Sequence, residues 1–435
     1  MKNKLKSILL FLLVVLVVAG WVMTPWFVAL GMLVLLVAWM LLTKAGRRAG
    51  QVLGMGLRSL PQRWGESLVI IIGIAGVVGV LVAMLSMGEG LKKTLNGSGD
   101  DQTVIMLRAG SQAETNSSIA RDQVPRIGNL PGFAKSSDGQ PLISAELSQI
   151  VNLKTMQDGT DTNVTFRGVG PKAWEIHPDV KVIEGRKFTP GLREVMAGKG
   201  ASKQFRDLTV GKELKLGNQS WKVAGIFESG DSHESELWTD AEILGATYNR
   251  SGYQSVTARL ADAKSLDELK KAIAADPQLK FDVQTTKAYF AKQSEGLSKA
   301  LGMLGTVVAA IMAIGAVFGA LNSMYAAVAG RAREIATMRA LGFKGAPVIT
   351  AIMLETMILA LIGGAIGAFL AWLLFNGSQL STMGSNFSQV VFKFHVTPAL
   401  LWNGLKWALA IGFIGGFYPA LRAARMKVTD ALRSI

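Results

Sequence analysis

The side chains that most often do chemistry are few in this chain of 435 residues. It has no cysteine and three histidines, His177, His233 and His395. None of the three has a second histidine or a carboxylate at the spacing of a zinc site such as HExxH. The sequence has no GxSxG turn for a serine nucleophile and no GxxxxGK[ST] loop for phosphate. It therefore predicts no catalytic residue, metal or directly bound cofactor, and any use of ATP is expected to occur in another chain.

His233 lies in a strongly polar run, from Glu228 to Glu236, that includes four carboxylates. A histidine and carboxylates so close in sequence can bind a cation. A run of this composition is more typical of a solvated loop, and we favour the loop.

Two ionisable residues stand inside apolar stretches near the end of the chain. Glu355 lies about a turn or two after its stretch begins, and a carboxylate within a membrane segment is a candidate functional site. Near the interface it is also able to pair with Arg339 or another basic residue, and we favour this anchoring role. Lys406, in the last stretch, is expected to extend its ammonium toward the membrane surface.

The most specific motif is the segment Arg331–Gly342, with the sequence RAREIATMRALG. Ile335, Met338 and Leu341 recur every three residues, which predicts an apolar stripe on a short helix. Gly342 is well placed to end that helix as a C-cap. The charged members are Arg331, Arg333, Glu334 and Arg339. Such a helix between two apolar stretches suits docking into a groove of another protein, although a basic loop on anionic lipid is an alternative.

The basic residues that give the chain its formal charge of +15 lie outside one long block. Between Gly88 and Leu297 there are 27 Lys/Arg and 27 Asp/Glu, whereas the rest of the chain has 19 basic and 4 acidic residues. Basic residues that flank apolar runs are the positive-inside pattern of a membrane protein. Since 50% of the residues are hydrophobic and 18% are charged, the chain is too apolar for a soluble protein of this size. The charge therefore indicates membrane topology and not nucleic-acid binding.

Six apolar stretches predict six transmembrane helices. The first two, Ile8–Thr24 and Trp26–Leu42, have basic residues at both ends, which favours a hairpin with both ends in the cytoplasm. A cleaved signal peptide is the alternative, but a second apolar run follows at once without a convincing cleavage site. The other four spans are predicted at Ser67–Met87, Leu301–Val328, Val348–Phe375 and Leu400–Tyr418.

The positive-inside pattern places the neutral block on the far side of the membrane, and short strand-like runs occur within it. They lie at Thr103–Leu107, Asn163–Gly168 and Trp221–Phe227. Near the end of the block, a strand, a helix and a strand are predicted at Ser255–Leu260, Ser265–Ala275 and Lys280–Thr285.

The fold class is therefore an α-helical membrane protein with an inserted α+β extracytoplasmic domain. The predicted parts are a transmembrane hairpin (1–45), a cytoplasmic interfacial helix (46–66), a first core span (67–87), an extracytoplasmic domain (88–297) and a helical C-terminal domain (298–435).

Three of the later spans contain two glycines four residues apart. This spacing places both on one helix face and allows close packing of helices. The pairs are Gly315 with Gly319, Gly363 with Gly367, and Gly412 with Gly416.

Four segments resemble the FtsX/MacB-like superfamily of ABC-transporter permeases. Arg331–Gly342 is similar to the signature of that family. Leu57–Lys93 resembles its opening helix, Glu184–Gly225 is similar to its MacB-like periplasmic core domain, and Tyr418–Arg433 resembles its C-terminus. The resemblance covers residues 50–435, and the segments occur in the same order.

The resemblance implies a non-catalytic permease that works as a dimer, with four core spans in each chain. It implies that Arg331–Gly342 is a coupling helix against an ATP-binding subunit, and that this subunit binds ATP and Mg²⁺. The fused ATPase domain of the macrolide exporters is not found in this sequence, so a separate ATPase subunit is expected. The location implied is a bacterial inner membrane, with both termini in the cytoplasm and the large domain in the periplasm.

Three functions are compatible with these features. We favour a permease that exports or extracts an amphipathic substrate, with a periplasmic adaptor and an outer-membrane channel as possible partners. An FtsX-like mechanotransmitter that regulates a cell-wall hydrolase is the alternative, but the block of about 200 residues is closer to the exporter domain. A stand-alone membrane enzyme is disfavoured by the lack of catalytic motifs.

Overall fold

The computed structural model describes residues 16–18, 20–58, 60–262, 264–342, 345–383 and 388–426. The chain divides into two compact units. The helical unit comprises Met1–Met87, Leu301–Asn376 and His395–Ile435. The exterior domain comprises Gly88–Ala300 together with Gly377–Phe394.

Long apolar helices account for most of the helical unit. The helices of the described chain are α1 (Leu16–Met23), α2 (Trp26–Leu42), α3 (Lys44–Arg58), α4 (Trp64–Gly97), α5 (Gln123–Gly128), α6 (Ala173–Ile176), α7 (Lys199–Gln204), α8 (Ala241–Thr247), α9 (Ser265–Ala275), α10 (Thr286–Gly330), α11 (Ala332–Ala340), α12 (Gly345–Phe375) and α13 (Pro398–Arg425). Two of the long helices, α4 and α10, are continuous from this unit into residues of the exterior domain.

Four helices of the described chain, α4, α10, α12 and α13, are long and apolar enough to cross a membrane. They contain the last four predicted spans. A fifth candidate is the pair α1 and α2, bent by 117° at a short break, if that pair is a single span. Much of the first predicted span lies outside the described residues, so the expected total of six spans is not confirmed.

The interfacial helix predicted at 46–66 is α3, followed by a 3₁₀ turn at Leu60–Arg63. Gly46, Ala49, Val52 and Gly56 are its buried residues, three or four positions apart and therefore on one face. The apolar face of α3 is thus covered by its own chain.

A mixed sheet of ten strands forms the centre of the exterior domain. The strands of the described chain are β1 (Thr103–Arg108), β2 (Ile119–Ala120), β3 (Ile143–Lys154), β4 (Asp161–Val169), β5 (Lys181–Gly185), β6 (Glu194–Gly198), β7 (Glu213–Leu216), β8 (Gln219–Glu228), β9 (Leu237–Asp240), β10 (Gly252–Tyr253), β11 (Ser255–Arg259), β12 (Phe281–Thr285), β13 (Gln379–Met383) and β14 (Gln389–Lys393). The order in the sheet of ten strands is β12-β1-β11-β3-β4-β9-β6-β8-β5, and β7 pairs with β8.

The strand, helix and strand predicted near the end of this domain are β11, α9 and β12. Both strands pair antiparallel to β1, which lies between them, so they are parallel to each other. Apolar side chains of the sheet, including Val104, Val256 and Phe281, pack with Leu269 and Ile273 of α9. The prediction of this unit is confirmed.

The loop between α12 and α13 forms an antiparallel hairpin of β13 and β14. This hairpin groups with the exterior domain. The exterior domain is therefore built from two separate parts of the chain.

Candidate functional site

The segment with the most specific motif folds as α11, between α10 and α12. The helix follows Arg331 and ends at Ala340. Gly342 has a φ of 96°, which residues with a side chain rarely adopt, and it follows the last turn as predicted. Ile335 and Met338 are buried in the core of the helical unit. These two side chains fix the apolar side of α11 to its own chain.

The opposite side of α11 is exposed. Arg333 and Glu334 lie there, and Leu341, just after the helix, is 75% exposed. The predicted apolar stripe is therefore divided, because its first two members face inward and Leu341 faces outward. Arg339 turns back, and its guanidinium donates a hydrogen bond to the main-chain carbonyl of Met426. The surface open to a partner is charged, with one apolar side chain at its end.

Glu355 of α12 is the centre of a buried ion-pair cluster. Its Oε1 lies 3.2 Å from Nη2 of Arg63, and its Oε2 lies 3.3 Å from Nη1 of Arg331. Its side chain is 5% exposed. Arg331 also pairs with Glu334 at 3.1 Å. Glu355 thus has basic partners, as expected, but they are Arg63 and Arg331 and not Arg339.

Gly56 of α3 makes room for this cluster. A Cβ at this position would come closer than 3.0 Å to Oε2 of Glu355. The cluster therefore joins the start of α11 and the turn before α4 to α12, with α3 packed against it. Sequence reasoning missed Arg63, because it appeared only as one of several basic residues flanking a span.

Two of the three glycine pairs lie at close helix contacts. A Cβ at Gly363 or Gly367 would come closer than 3.0 Å to main-chain atoms of α4. A Cβ at Gly412 or Gly416 would come equally close to side chains of α12. The third pair differs. A Cβ at Gly315 would have no atom of the described chain within 4 Å, and a Cβ at Gly319 would make an ordinary van der Waals contact with Val69. The expected close packing is therefore wrong for Gly315 and Gly319 within one described chain.

Lys406 does not extend toward the surface, which corrects the prediction. It is 7% exposed, and its ammonium donates to the main-chain carbonyls of Val22 at 2.7 Å and Thr24 at 3.4 Å. The indole N–H of Trp21 donates to the carbonyl of Lys406 at 2.9 Å. Helix α1 ends before Pro25, and its last carbonyls have no intrahelical partner. Lys406 supplies donors to these carbonyls and attaches the break between α1 and α2 to α13.

The polar run around His233 is not a solvated loop, and this prediction is wrong. His233 is 5% exposed, and its Nδ1 lies 2.9 Å from Oδ2 of Asp231. Burial opposes the charge of the imidazole, but Asp231 outweighs burial and raises the pKa of His233 to about 9. His177 lies with its ring centre 5.4 Å away, and burial together with charged His233 lowers its pKa to about 3. Among the described residues, no group of three His, Asp or Glu side chains is placed to hold a metal ion.

Arg167 of β4 is the centre of a second buried ionic network. Its guanidinium lies 2.8 Å from both Glu114 and Glu236 and 3.0 Å from Glu146. Burial raises the pKa of Glu146, whereas Arg167 outweighs burial at Glu114 and lowers the pKa of that carboxyl. Trp238 donates its indole N–H to Glu236 at 2.8 Å. Sequence reasoning missed this network because its members lie on separate strands and turns.

Comparisons with known proteins match both parts of the chain. Residues 67–276 match the family described as the MacB-like periplasmic core domain, and residues 306–428 match the FtsX-like permease C-terminal family. The chain is thus an FtsX/MacB-like permease of the ABC transporter class.

Curated relatives cover most of this chain at low identity. The uncharacterized ABC transporter permease YknZ of Bacillus subtilis is 22% identical, over 87% of this chain and 98% of that protein. The macrolide export ATP-binding/permease protein MacB of Nitrobacter winogradskyi is 26% identical, over 83% of this chain. The chain spans 56% of the length of that MacB.

The chain is also similar to a solved structure, the crystal structure of the extracellular domain of the noncanonic ABC-type transporter YknZ from Gram-positive bacteria. The two are 18% identical in sequence over 42% of this chain and 99% of that domain. The TM-score is 0.33, which is too low to equate the two folds.

Proposed function

We propose that this chain is the membrane subunit of an ABC transporter, and that it couples ATP hydrolysis by a separate subunit to motion of the exterior domain. The motion serves the export or extraction of an amphipathic substrate. The observation that carries the proposal is the two-sided arrangement of α11. Its inner face is fixed by Ile335 and Met338, and its outer face presents Arg333, Glu334 and Leu341.

The ion-pair cluster explains how a force on α11 would reach the spans. Arg331 lies immediately before α11 and pairs with Glu355 of α12, which also pairs with Arg63 before α4. If α11 is displaced, α12 and the turn before α4 have to move with it, because separation would leave buried charges without partners. The two states of such a unit need to differ by only a few kcal/mol.

Two surfaces of the chain support the partners that we propose. The outer face of α11 would dock on an ABC ATPase subunit that binds ATP and Mg²⁺. A second permease chain would pack along α10, where Gly315 has open space beside it. Only 11% of the most apolar stretch of α10 is buried, whereas 33% to 50% of the corresponding stretch is buried in the other three long helices. With α11 facing the ATPase subunit on the cytoplasmic side, both termini would lie in the cytoplasm and the exterior domain would lie in the periplasm.

Export is favoured over mechanical signalling by a cleft in the exterior domain. Its volume is about 490 Å³, and Trp174, Phe188 and Tyr253 line it with Asp240 and Lys187 at its polar parts. This size and lining suit part of an amphipathic molecule. The names of related proteins also favour export, since they include macrolide export and pyoverdine export proteins. A periplasmic adaptor and an outer-membrane channel would then complete the path.

The test is charge reversal on the outer face of α11. In the wild type, the permease is expected to stimulate ATP hydrolysis by the ATPase subunit. Arg333→Glu and Glu334→Arg are expected to abolish this stimulation, while the permease remains inserted and folded. Glu268→Arg, on the exposed side of α9 in the exterior domain, is the matched control and should stimulate normally. Normal stimulation by both α11 variants would reject the assignment of α11.

A further inference from the structure

A six-residue turn of the exterior domain, Asp231–Glu236, lies against each element that connects this domain to the helical unit. These elements are the end of α4, the beginning of α10 and the hairpin of β13 and β14. The turn is polar but buried, since Ser232, His233, Ser235 and Glu236 are at most 9% exposed. We name this segment the junction turn.

The first contact joins the junction turn to the end of α4. The hydroxyl oxygens of Ser98 and Ser232 lie 2.6 Å apart, and the main-chain N–H of Ser232 donates to Ser98 Oγ at 2.9 Å. Ser98 directly follows α4 and also donates to the carbonyl of Thr94 in its last turns, at 3.1 Å. Two hydrogen bonds therefore fix the end of α4 to the turn.

The second contact joins the junction turn to α10. The ring of His233 meets the ring of Phe290 edge to face, with centres 5.8 Å apart. Asp231 holds His233 from two sides, accepting from its main-chain N–H and from its Nδ1, each at 2.9 Å. The orientation of the imidazole against α10 is therefore set within the turn itself.

The third contact joins the junction turn to the hairpin between α12 and α13. Ser235 Oγ accepts a hydrogen bond from the main-chain N–H of Val391 in β14 at 2.7 Å. Close by, Gly200 of α7 has no room for a Cβ without crowding Glu234 and Val391. The hairpin thus packs on the turn and on α7.

The junction turn is also attached to the centre of the sheet. Glu236 binds the guanidinium of Arg167 with both carboxylate oxygens, at 2.8 and 2.9 Å. Its carbonyl accepts from the main-chain N–H of Gly198, at the end of β6, at 2.9 Å. Charge-assisted pairs of this kind are stronger than neutral hydrogen bonds. The turn is therefore fixed to β4 and β6 as well as to the three connecting elements.

We propose that the junction turn is the joint through which movements of α4, α10 and the β13–β14 hairpin reach the sheet of the exterior domain. Ser232, His233 and Ser235 are its positioning residues, one for each connecting element. The inference rests on the proposed function and deepens it, because it names the part of the exterior domain that receives the motion. With the joint intact, the three elements move as one body with the sheet. Loss of one contact frees one element, and its motion is then not transmitted.

The contacts of the joint are tested first, without any ATPase subunit. Amide hydrogen exchange is measured on the full chain in lipid nanodiscs, for the wild type, Ser235→Ala and the control Ser255→Ala. Ser255 is buried like Ser235, and its hydroxyl donates a hydrogen bond to Glu114. This bond does not involve α4, α10 or the β13–β14 hairpin. We expect the amides of β14 to exchange about tenfold faster in Ser235→Ala only. Equal protection of β14 in all three proteins would overturn the proposed joint.

The transmission is tested on the chain together with its ATP-binding subunit. Because the chain has no cysteine, Glu268→Cys on α9 gives a single spin-label site in each copy. In the wild type we expect the distance between the labels of a dimer to change when ATP is added. In Ser98→Ala, which removes both hydrogen bonds between α4 and the turn, and in Ser235→Ala, we expect ATP hydrolysis within twofold of the wild type and a smaller distance change, because each variant frees one of the three elements. Ser255→Ala should retain both. A full distance change in the two junction variants would overturn the inference.

A disulfide gives the converse variant. Ser98→Cys with Ser232→Cys replaces two oxygens 2.6 Å apart, and in this variant the label at position 268 is attached through a genetically encoded azide residue, so that thiol oxidation and reduction do not affect it. The oxidised pair should keep the full distance change because the joint remains closed. Loss of the change on oxidation, with recovery on reduction, would mean that the joint must open and would contradict a rigid joint. If the wild type itself shows no ATP-dependent change, the proposed function fails, while hydrogen exchange still decides the contacts of the joint.

Discussion

Arg331 and Glu355 form an ion pair between the residue that precedes α11 and the interior of α12, with Nη1 and Oε2 3.3 Å apart. The side chains are 12% and 5% exposed, so water screens the pair little. The outer surface of α11 and the packed helices behind it are thus joined through a buried charge.

Replacing Glu355 with Gln should destabilise the helical unit strongly. The substitution leaves the guanidinium groups of Arg63 and Arg331 without their shared carboxylate, and loss of one partner from a buried pair costs about 3–5 kcal/mol. Glu334→Gln is the matched control, because Glu334 also pairs with Arg331 but is 64% exposed, where such pairs contribute about 1 kcal/mol or less. Thermal unfolding in detergent measures both. Equal effects of the two substitutions would contradict a buried structural role for Glu355.

Glycine substitutions should separate packing within the chain from pairing between chains. Gly367→Val places a methyl group against the main chain of Ala75, and we expect a loss of about 1–3 kcal/mol or more in the free energy of unfolding. Gly315→Val places its Cβ where no atom of the described chain lies within 4 Å, and it should lower the stability of a monomer much less than Gly367→Val. If a second copy packs along α10, Gly315→Val should weaken the dimer, which light scattering after gel filtration measures. A dimer unaffected by Gly315→Val would place the second chain elsewhere.

Removal of the Lys406 ammonium should release the break between α1 and α2. In Lys406→Met the carbonyls of Val22 and Thr24 lose their donor, at a cost of about 1–3 kcal/mol. Thr24→Cys in this cysteine-free chain gives a single site for a maleimide, and its labelling should be faster in the Met variant than beside native Lys406. Equal labelling rates would mean that Lys406 does not hold this segment.

The two buried histidines should give opposite pH dependence of stability. An unfolded histidine has a pKa of about 6.5. The raised pKa of His233, about 9, stabilises the fold fully below pH 6.5, and this contribution is lost as the pH rises through 9. The lowered pKa of His177, about 3, makes stability fall as the pH drops below 6.5 toward 3.

Unfolding temperatures from pH 4 to 10, followed by tryptophan fluorescence of the full chain, test this difference. His233→Gln should remove part of the alkaline loss, on the order of 3 kcal/mol, and His177→Gln should remove part of the acid loss. Changes on the same side of neutral pH for both variants would contradict the two assignments.

Patterns that depend on neighbours in sequence predicted much of the fold. The helical stretches, the strands β1, β4 and β8 and the unit of β11, α9 and β12 follow from apolar runs and alternation. The end of α11 at Gly342 follows from the conformational freedom of glycine.

Features that depend on distant partners were not predicted. The run around His233 is as polar as a solvated loop, and it is buried because Arg167 and the connecting elements satisfy its groups. Lys406 normally would extend to water, but the carbonyls freed before Pro25 give its ammonium partners inside the helical unit. No local pattern in the sequence indicates either partner.

We propose that the outer face of α11 docks on an ATP-binding subunit. The most direct measurement is photo-crosslinking in the native host from a photoreactive residue at Leu341, which is 75% exposed. The control is the same residue at Leu192 of the exterior domain, which is 51% exposed. We predict an adduct with an ABC-type ATP-binding protein from position 341 and none from position 192. Absence of that adduct from 341 in an inserted, folded chain, or its formation from 192, would contradict the account.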